Sequence, residues 1–153
     1  MNWLRWLCIG AWLMVGGVEV MGASPRIIKV LPHYLDLEGR QSLSPSLFER
    51  DAYQATLRKS PALCSGLRFD VQWKAPGIPN EAVTMRLEMR TSKKFDAKPF
   101  VKEQPVTSRG FFSRWSAITV EGEAFKEMGE VVAWRVTLWR DGAQIAEQKS
   151  FLW

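Results

Sequence analysis

Near the C-terminus Val132, Trp134, Val136 and Leu138 fall on every second residue, with Ala133, Arg135 and Thr137 between them. That is the period of a strand with one face buried and the other in water. Asp141-Gly142 follows, a pair that accepts the positive φ angles of a tight hairpin turn. A second extended run then returns to Trp153. A lone β-hairpin is only marginally stable in water, so the chain must supply further strands.

The same alternation recurs upstream. In Gly66–Lys74, Leu67, Phe69, Val71 and Trp73 face one way and Arg68, Asp70, Gln72 and Lys74 the other. Residues 76–80, PGIPN, read as a turn. Val83, Met85, Leu87 and Met89 then alternate with charged or hydroxylated residues, predicting a second amphipathic strand antiparallel to the first. Residues 27–37 form an apolar run interrupted by Pro32, which suits an edge strand or one with a break. Lys93-Lys94 ends the strand that carries Val83 to Met89, and Phe100-Val101, between Pro99 and Pro105, predicts a short edge strand. Residues 111–120 predict another strand of ambiguous phase. Phe112, Ile118 and Val120 support one face, and Phe111, Trp115 and Ala117 the other, so a bulge or bend is expected between them.

One helix is expected at about residues 44–59. Ser44-Pro45 and the Ser46/Glu49 spacing are start signals, and Pro61 follows the end. Phe48, Ala52 and Ala55 predict its buried face, with Tyr53 and Leu57 beside them. Residues 121–129 predict a crossing with a helical turn that buries Phe125 and Met128. The count reaches about seven strands, and strand–helix–strand alternation is missing, so antiparallel sheets are expected rather than a parallel one.

The first 23 residues read as a secretory signal peptide: Arg5, an apolar run from Trp6 to about Val18, then Gly22 and Ala23. A retained anchor is the alternative. The run is too short and too broken by Gly16, Gly17 and Glu19 to span a bilayer comfortably. Cleavage would leave residues 24–153 as a single exported domain with no integral membrane span, periplasmic or extracellular. It would remove one Arg and one Glu and leave the net charge at +5. Cys64 would be its only cysteine, so no intrachain disulfide could staple it.

Val71-Gln72-Trp73 with Pro76 resembles the second strand of a fibronectin type III or immunoglobulin-like domain, with its core tryptophan. Met85–Arg90 resembles the next strand, and Val120 to Trp139 is similar to the crossing and penultimate strand. The resemblance covers roughly residues 66–153. It implies an all-β antiparallel sandwich of about seven strands; the helix expected between the first and second strands is an insertion that the plain fold lacks. The tyrosine usual near the start of the penultimate strand is absent, and Trp134 lies nearby. The chain is also similar to small exported bacterial proteins of unassigned function, through SLSPSLFERDAYQ, GLRFDVQWKA and WRVTLWRDGAQ.

Reactive groups are sparse. His33 is the single histidine, and the sequence offers it no triad partner. One His and one Cys do not make a zinc set, no dense Asp/Asn cluster suggests calcium, and no glycine loop cradles phosphate. No metal, cofactor or enzymatic activity is expected. Trp73 and Trp134 have core phase. Trp139 and Arg135 fall on the opposite face, and the face of Trp115 is open. Trp139, Trp115 and Arg135 form the candidate binding surface, unless the helix covers Trp139 as a second small core. Arg86, Arg90, Lys93, Lys94, Lys98 and Lys102 gather near one edge, where lysines discourage strand-to-strand aggregation. Nucleic acid is not an expected partner of an exported chain. The expected function is a non-catalytic module acting through protein–protein contact or envelope assembly. A glycan-binding module with an exposed tryptophan platform is the alternative.

Overall fold

Alternating apolar side chains build two antiparallel sheets that close over one core. The computed structural model describes residues 24–93 and 98–153. The leader expected over residues 1–23, and Lys94 of the basic group, lie outside the described residues. In chain order come β1 (Arg26–Asp36), α1 (Leu47–Lys59), a 3-10 turn (Pro61–Leu63), β2 (Cys64–Lys74), β3 (Pro79–Thr91) and β4 (Phe100–Arg109). β5 (Arg114–Glu121), α2 (Gly122–Met128), β6 (Val131–Arg140) and β7 (Ala143–Lys149) follow. One sheet has the order β1-β2-β5, the other β4-β3-β6-β7. The seven strands among the described residues and the helix between the first two match the expected architecture.

The core draws on both inner faces. Leu67, Phe69, Val71 and Trp73 of β2 and Ile118 and Val120 of β5 meet Val83, Met85, Leu87 and Met89 of β3 and Val136 and Leu138 of β6. All are essentially fully buried. Each contributes about 1.5–3 kcal/mol of hydrophobic driving force. Trp73 Nε1 donates to Ser116 Oγ at 3.0 Å, so the indole N–H stays partnered in the core. The side chain of Trp134 meets Phe69 edge to face, with ring centroids 6.1 Å apart. The closing hairpin turns at Asp141 (φ 49°) and Gly142 (φ 78°), both in the left-handed region that a two-residue turn demands.

Several expectations need correction. β2 and β3 do not lie side by side: β2 pairs with β1 and β5, and β3 with β4 and β6. The Pro76-Gly77 turn therefore crosses between sheets. The short edge strand expected at Phe100-Val101 is a ten-residue strand. Pro105 sits inside it opposite Thr84, which an edge strand tolerates because one side of its backbone needs no donor. The ambiguous segment resolves without a bulge. Phe111 and Phe112 stand in the turn, β5 starts at Arg114, and Ser116, Ile118 and Val120 face in along an unbroken register with β2. Trp115, Ala117 and Thr119 face out.

The helix is anchored by a different stripe than expected. Phe48, Ala52 and Ala55 are exposed, Phe48 to 83%, while Leu57 is buried and Tyr53 and Gln54 are half-buried. Gln54 does the docking. Its Oε1 accepts from Tyr34 N at 2.8 Å, and its Nε2 donates to Tyr34 O at 2.9 Å and Gln41 O at 2.7 Å. One amide side chain thus stands in for a neighbouring strand at the open edge of β1. No capping box forms, since Ser46 makes no side-chain cap. Its N–H donates instead to Ser44 Oγ. α2 buries Met128 and half-buries Phe125, as expected.

Candidate functional site

The three candidate residues do not form one site. Arg135 and Trp139 lie on the outer face of the four-stranded sheet, and Trp115 on the outer face of the three-stranded sheet, across the core. The helix does not cover Trp139, because α1 packs against β1 in the other sheet.

Strand pairing places Arg135 opposite Glu88 on β3 and Lys149 on β7. Its Nε donates to Glu88 Oε2 at 2.7 Å, and its Nη1 lies 3.7 Å from Glu147 Oε2. The hydrogen bond to Glu88 raises the guanidinium pKa against the opposing effect of burial. Two guanidinium groups lie over the indole of Trp153, Arg135 Cζ at 4.9 Å and Arg90 Cζ at 5.1 Å. Trp139 is held similarly: Arg86 Cζ lies 4.7 Å from its ring centre and Nε1 donates to Thr137 Oγ1 at 2.8 Å. Arg86 also bonds Glu103 on β4. This face carries two groups of cation–π and ion-pair contacts, each contact modest alone. Both Arg135 and Trp139 are engaged within the protein. Trp153, which sequence reasoning did not assign, joins them because the tail folds back. Ser150 N donates to Trp134 O at 2.9 Å, and Ser150 Oγ accepts from Trp134 N at 3.0 Å.

Trp115 is different. It sits opposite Gln72 at the start of β5 and is 48% exposed. It lines an open cleft of about 310 Å³ with Leu31, His33, Gln41, Arg50, Arg68 and Asp70. β1 and β2 bring His33 opposite Arg68 and Leu31 opposite Asp70, and α1 adds Arg50 from above. Arg68 is the close partner of Asp70, with Nε and Nη2 both 2.8 Å from Oδ1. His33 Nε2 lies 3.8 Å from Asp70 Oδ2, too far for a hydrogen bond. The histidine expected to lack a partner therefore has a nearby carboxylate. Burial lowers its pKa below 6.5, Asp70 opposes that, and Arg50 and Arg68 reinforce it. The imidazole is neutral at neutral pH. Register alone would have brought His33 and Asp70 together, had the pairing of β1 with β2 been known.

A second cavity, about 460 Å³, lies at the opposite end of the sandwich, lined by Tyr34, Leu57, Cys64 and Phe125 with Arg58 and Lys126 among its polar groups. Burial raises the Cys64 pKa, and its Sγ donates to Leu57 O at 3.3 Å. The thiol is a packed, protonated group rather than a thiolate nucleophile. Among the described residues, no group of three or more His, Cys, Asp or Glu is arranged to hold a metal ion. Among them too, no helix is long and apolar enough to cross a membrane.

No family model matches the chain, and neither a curated protein nor a solved structure matches it.

Proposed function

We propose that the chain is a non-catalytic, exported module of the fibronectin type III kind that works by protein contact through the outer face of its three-stranded sheet. The strand order supports the fold part. β4 stays beside β3, giving β1-β2-β5 against β4-β3-β6-β7, whereas in the immunoglobulin constant arrangement the fourth strand joins the first sheet. Trp73 on β2 takes the place of the core tryptophan. Export rests on the leader-like sequence of residues 1–23.

The observation that carries the contact part is Trp115, half-exposed beside Arg50 and Arg68 in an open cleft. Trp and Arg are the residues that dominate binding hot spots, because a large ring and a planar cation gain most when a partner removes water. Trp139, already occupied by Arg86, offers less. A photo-crosslinking residue at position 115 should capture a discrete partner in the native envelope, and the same residue at position 139 should not. Equal capture from both positions, or none from 115, would overturn this assignment.

A glycan ligand is the second reading, favoured by the chemistry of the same cleft. An indole face beside Gln41, Arg68 and Asp70 can stack on a sugar ring and bond its hydroxyls, and about 310 Å³ falls in the range of small-ligand sites. Saturable binding on a glycan array, lost in Trp115→Ala, would replace protein contact by this reading.

A further inference from the structure

The β4–β5 turn reads Arg109-Gly110-Phe111-Phe112-Ser113-Arg114-Trp115. Phe111 and Phe112 are 73% and 77% exposed, although the turn itself is well tied down. Gly110 takes φ 63°, and its N–H donates to Ser108 Oγ at 3.0 Å. Ser108, buried, donates in turn to Ala75 O at 3.1 Å. Phe112 N donates to Arg109 O, and Arg114 Nη1 to Thr107 O. The fold thus fixes a turn that holds two adjacent phenyl rings in water, an arrangement that costs free energy unless something receives them.

Cations surround this tip. Arg109 and Arg114 flank it. Strand register puts Arg26 opposite Lys74, and Trp73 opposite Arg114, at the same end of the sandwich. None of these four cations has a carboxylate partner among the described residues. Two acids at that end, Glu81 and Asp141, are both engaged by Arg140 at 3.0 and 3.4 Å. Because β1 starts there, the 23 residues that precede Ser24, with their apolar run, also join the domain at this end.

We propose that the Phe111–Phe112 tip inserts into the surface of an anionic lipid bilayer. A convex apolar tip suits a fluid interface, which needs no preformed pocket. Arginines at its base meet anionic headgroups, each cation near such a surface strengthening binding about fivefold. Trp115, one step along the strand, falls at headgroup depth, where indoles prefer to lie. This peripheral contact is independent of whether the leader is cleaved or retained; its rings, Phe111 and Phe112, do not line the Trp115 cleft, although the two sites share Trp115.

Hydrogen exchange of the full chain with vesicles tests it locally, even where the N-terminal segment also binds lipid. Phosphatidylcholine vesicles containing phosphatidylglycerol should slow exchange across residues 109–115, and pure phosphatidylcholine should not. Phe111→Ser with Phe112→Ser should weaken the protection roughly tenfold or more in lipid concentration. Lys74→Gln with Arg109→Gln, which touches neither ring, should weaken it by a comparable factor at low salt. All four side chains are outward, so an unchanged thermal midpoint will show that the variants fold. Unchanged exchange at 109–115 on anionic vesicles, or protection that survives the double serine variant, overturns the proposal.

Discussion

Gln104 on β4 donates through Nε2 to the carbonyl of Ala117 on β5, at 2.7 Å, although the two strands belong to different sheets. Lys102, two residues earlier, donates likewise to Thr119 O. Both carbonyls lie on the free edge of β5, which among the described residues pairs only with β2. Side chains of one edge strand thus satisfy the backbone of the other and close this flank of the sandwich. Unpaired edges are templates for association, and here the lysine expected to guard an edge does so by bonding to it.

Removing both donors, with Lys102→Ala and Gln104→Ala, should cost about 2 kcal/mol in total, taking about 1 kcal/mol per hydrogen bond. It should also expose the β5 edge. A lower urea midpoint together with concentration-dependent sedimentation is the expected outcome. A midpoint shift without self-association would mean that β5 is shielded by its twist alone.

Gln54→Ala should detach the helix before the sheets. The amide makes three hydrogen bonds across 13 and 20 residues of chain, and the remaining holds of α1 are buried Leu57 and the Tyr53 hydroxyl on Asp36. The loss should be about 2 kcal/mol, since Tyr34 N and O would be left part-buried and unpaired. Amide exchange should rise in α1 and at Tyr34 while β2 and β3 stay protected, because local opening of α1 leaves the core intact.

That anchoring also explains what the sequence did and did not disclose. β2, β3 and β6 were legible because their inner residues are apolar at every second position and nothing else competes. The helix face was not, because its contact is made by polar Gln54 and Tyr53, while Phe48 looks like a core residue and stands in water. Trp115 could not be assigned a face while Phe111 and Phe112 were counted in the strand; placing them in the turn leaves one consistent phase. The partition into sheets was hidden because a Pro-Gly turn joins strands within a sheet or between sheets equally well. Trp153 depends on the tail returning to Trp134, which no local pattern encodes. Of the cleft, Trp115 was visible, and His33 with Asp70 needed the β1–β2 register.

Gly66→Ala should be costly for a reason unconnected with backbone freedom. A Cβ there would lie 2.7 Å from Glu121 Cγ and 2.8 Å from Val120 O. Glu121 can swing away, but the carbonyl belongs to the strand that pairs with β2 at this point. β2 and β5 must part locally, at an overpacking cost of about 1–3 kcal/mol. A thermal scan reads it directly, and an unchanged midpoint would mean that β5 shifts freely at its end.

Stability should fall with acid in two stages, and each stage has its own residue. His33 titrates below 6.5 in the folded chain because burial disfavours its charge, with Arg50 and Arg68 adding to the effect and Asp70 opposing it. The unfolded chain therefore takes up this proton first, so unfolding is favoured progressively as pH drops below 6.5. Asp36 acts lower. Burial alone would raise its carboxyl, but the backbone N–H of Arg40, the Tyr53 hydroxyl, Arg40 Nε and the backbone N–H of Glu38 all donate to it, at 2.7–2.9 Å. Together they hold it well below its ordinary value of 3.8. Its contribution is complete above that value and is lost as pH falls further, because the unfolded carboxylate is then protonated first. Urea midpoints measured across this range should show a shallow decline under pH 6.5 that His33→Gln removes. A steeper decline under 3.8 should flatten in Asp36→Asn, which is also less stable at neutral pH because an amide nitrogen cannot accept those donors. An Asp36→Asn profile parallel to that of the parent chain in the lower range would place the acid sensitivity in some other carboxylate.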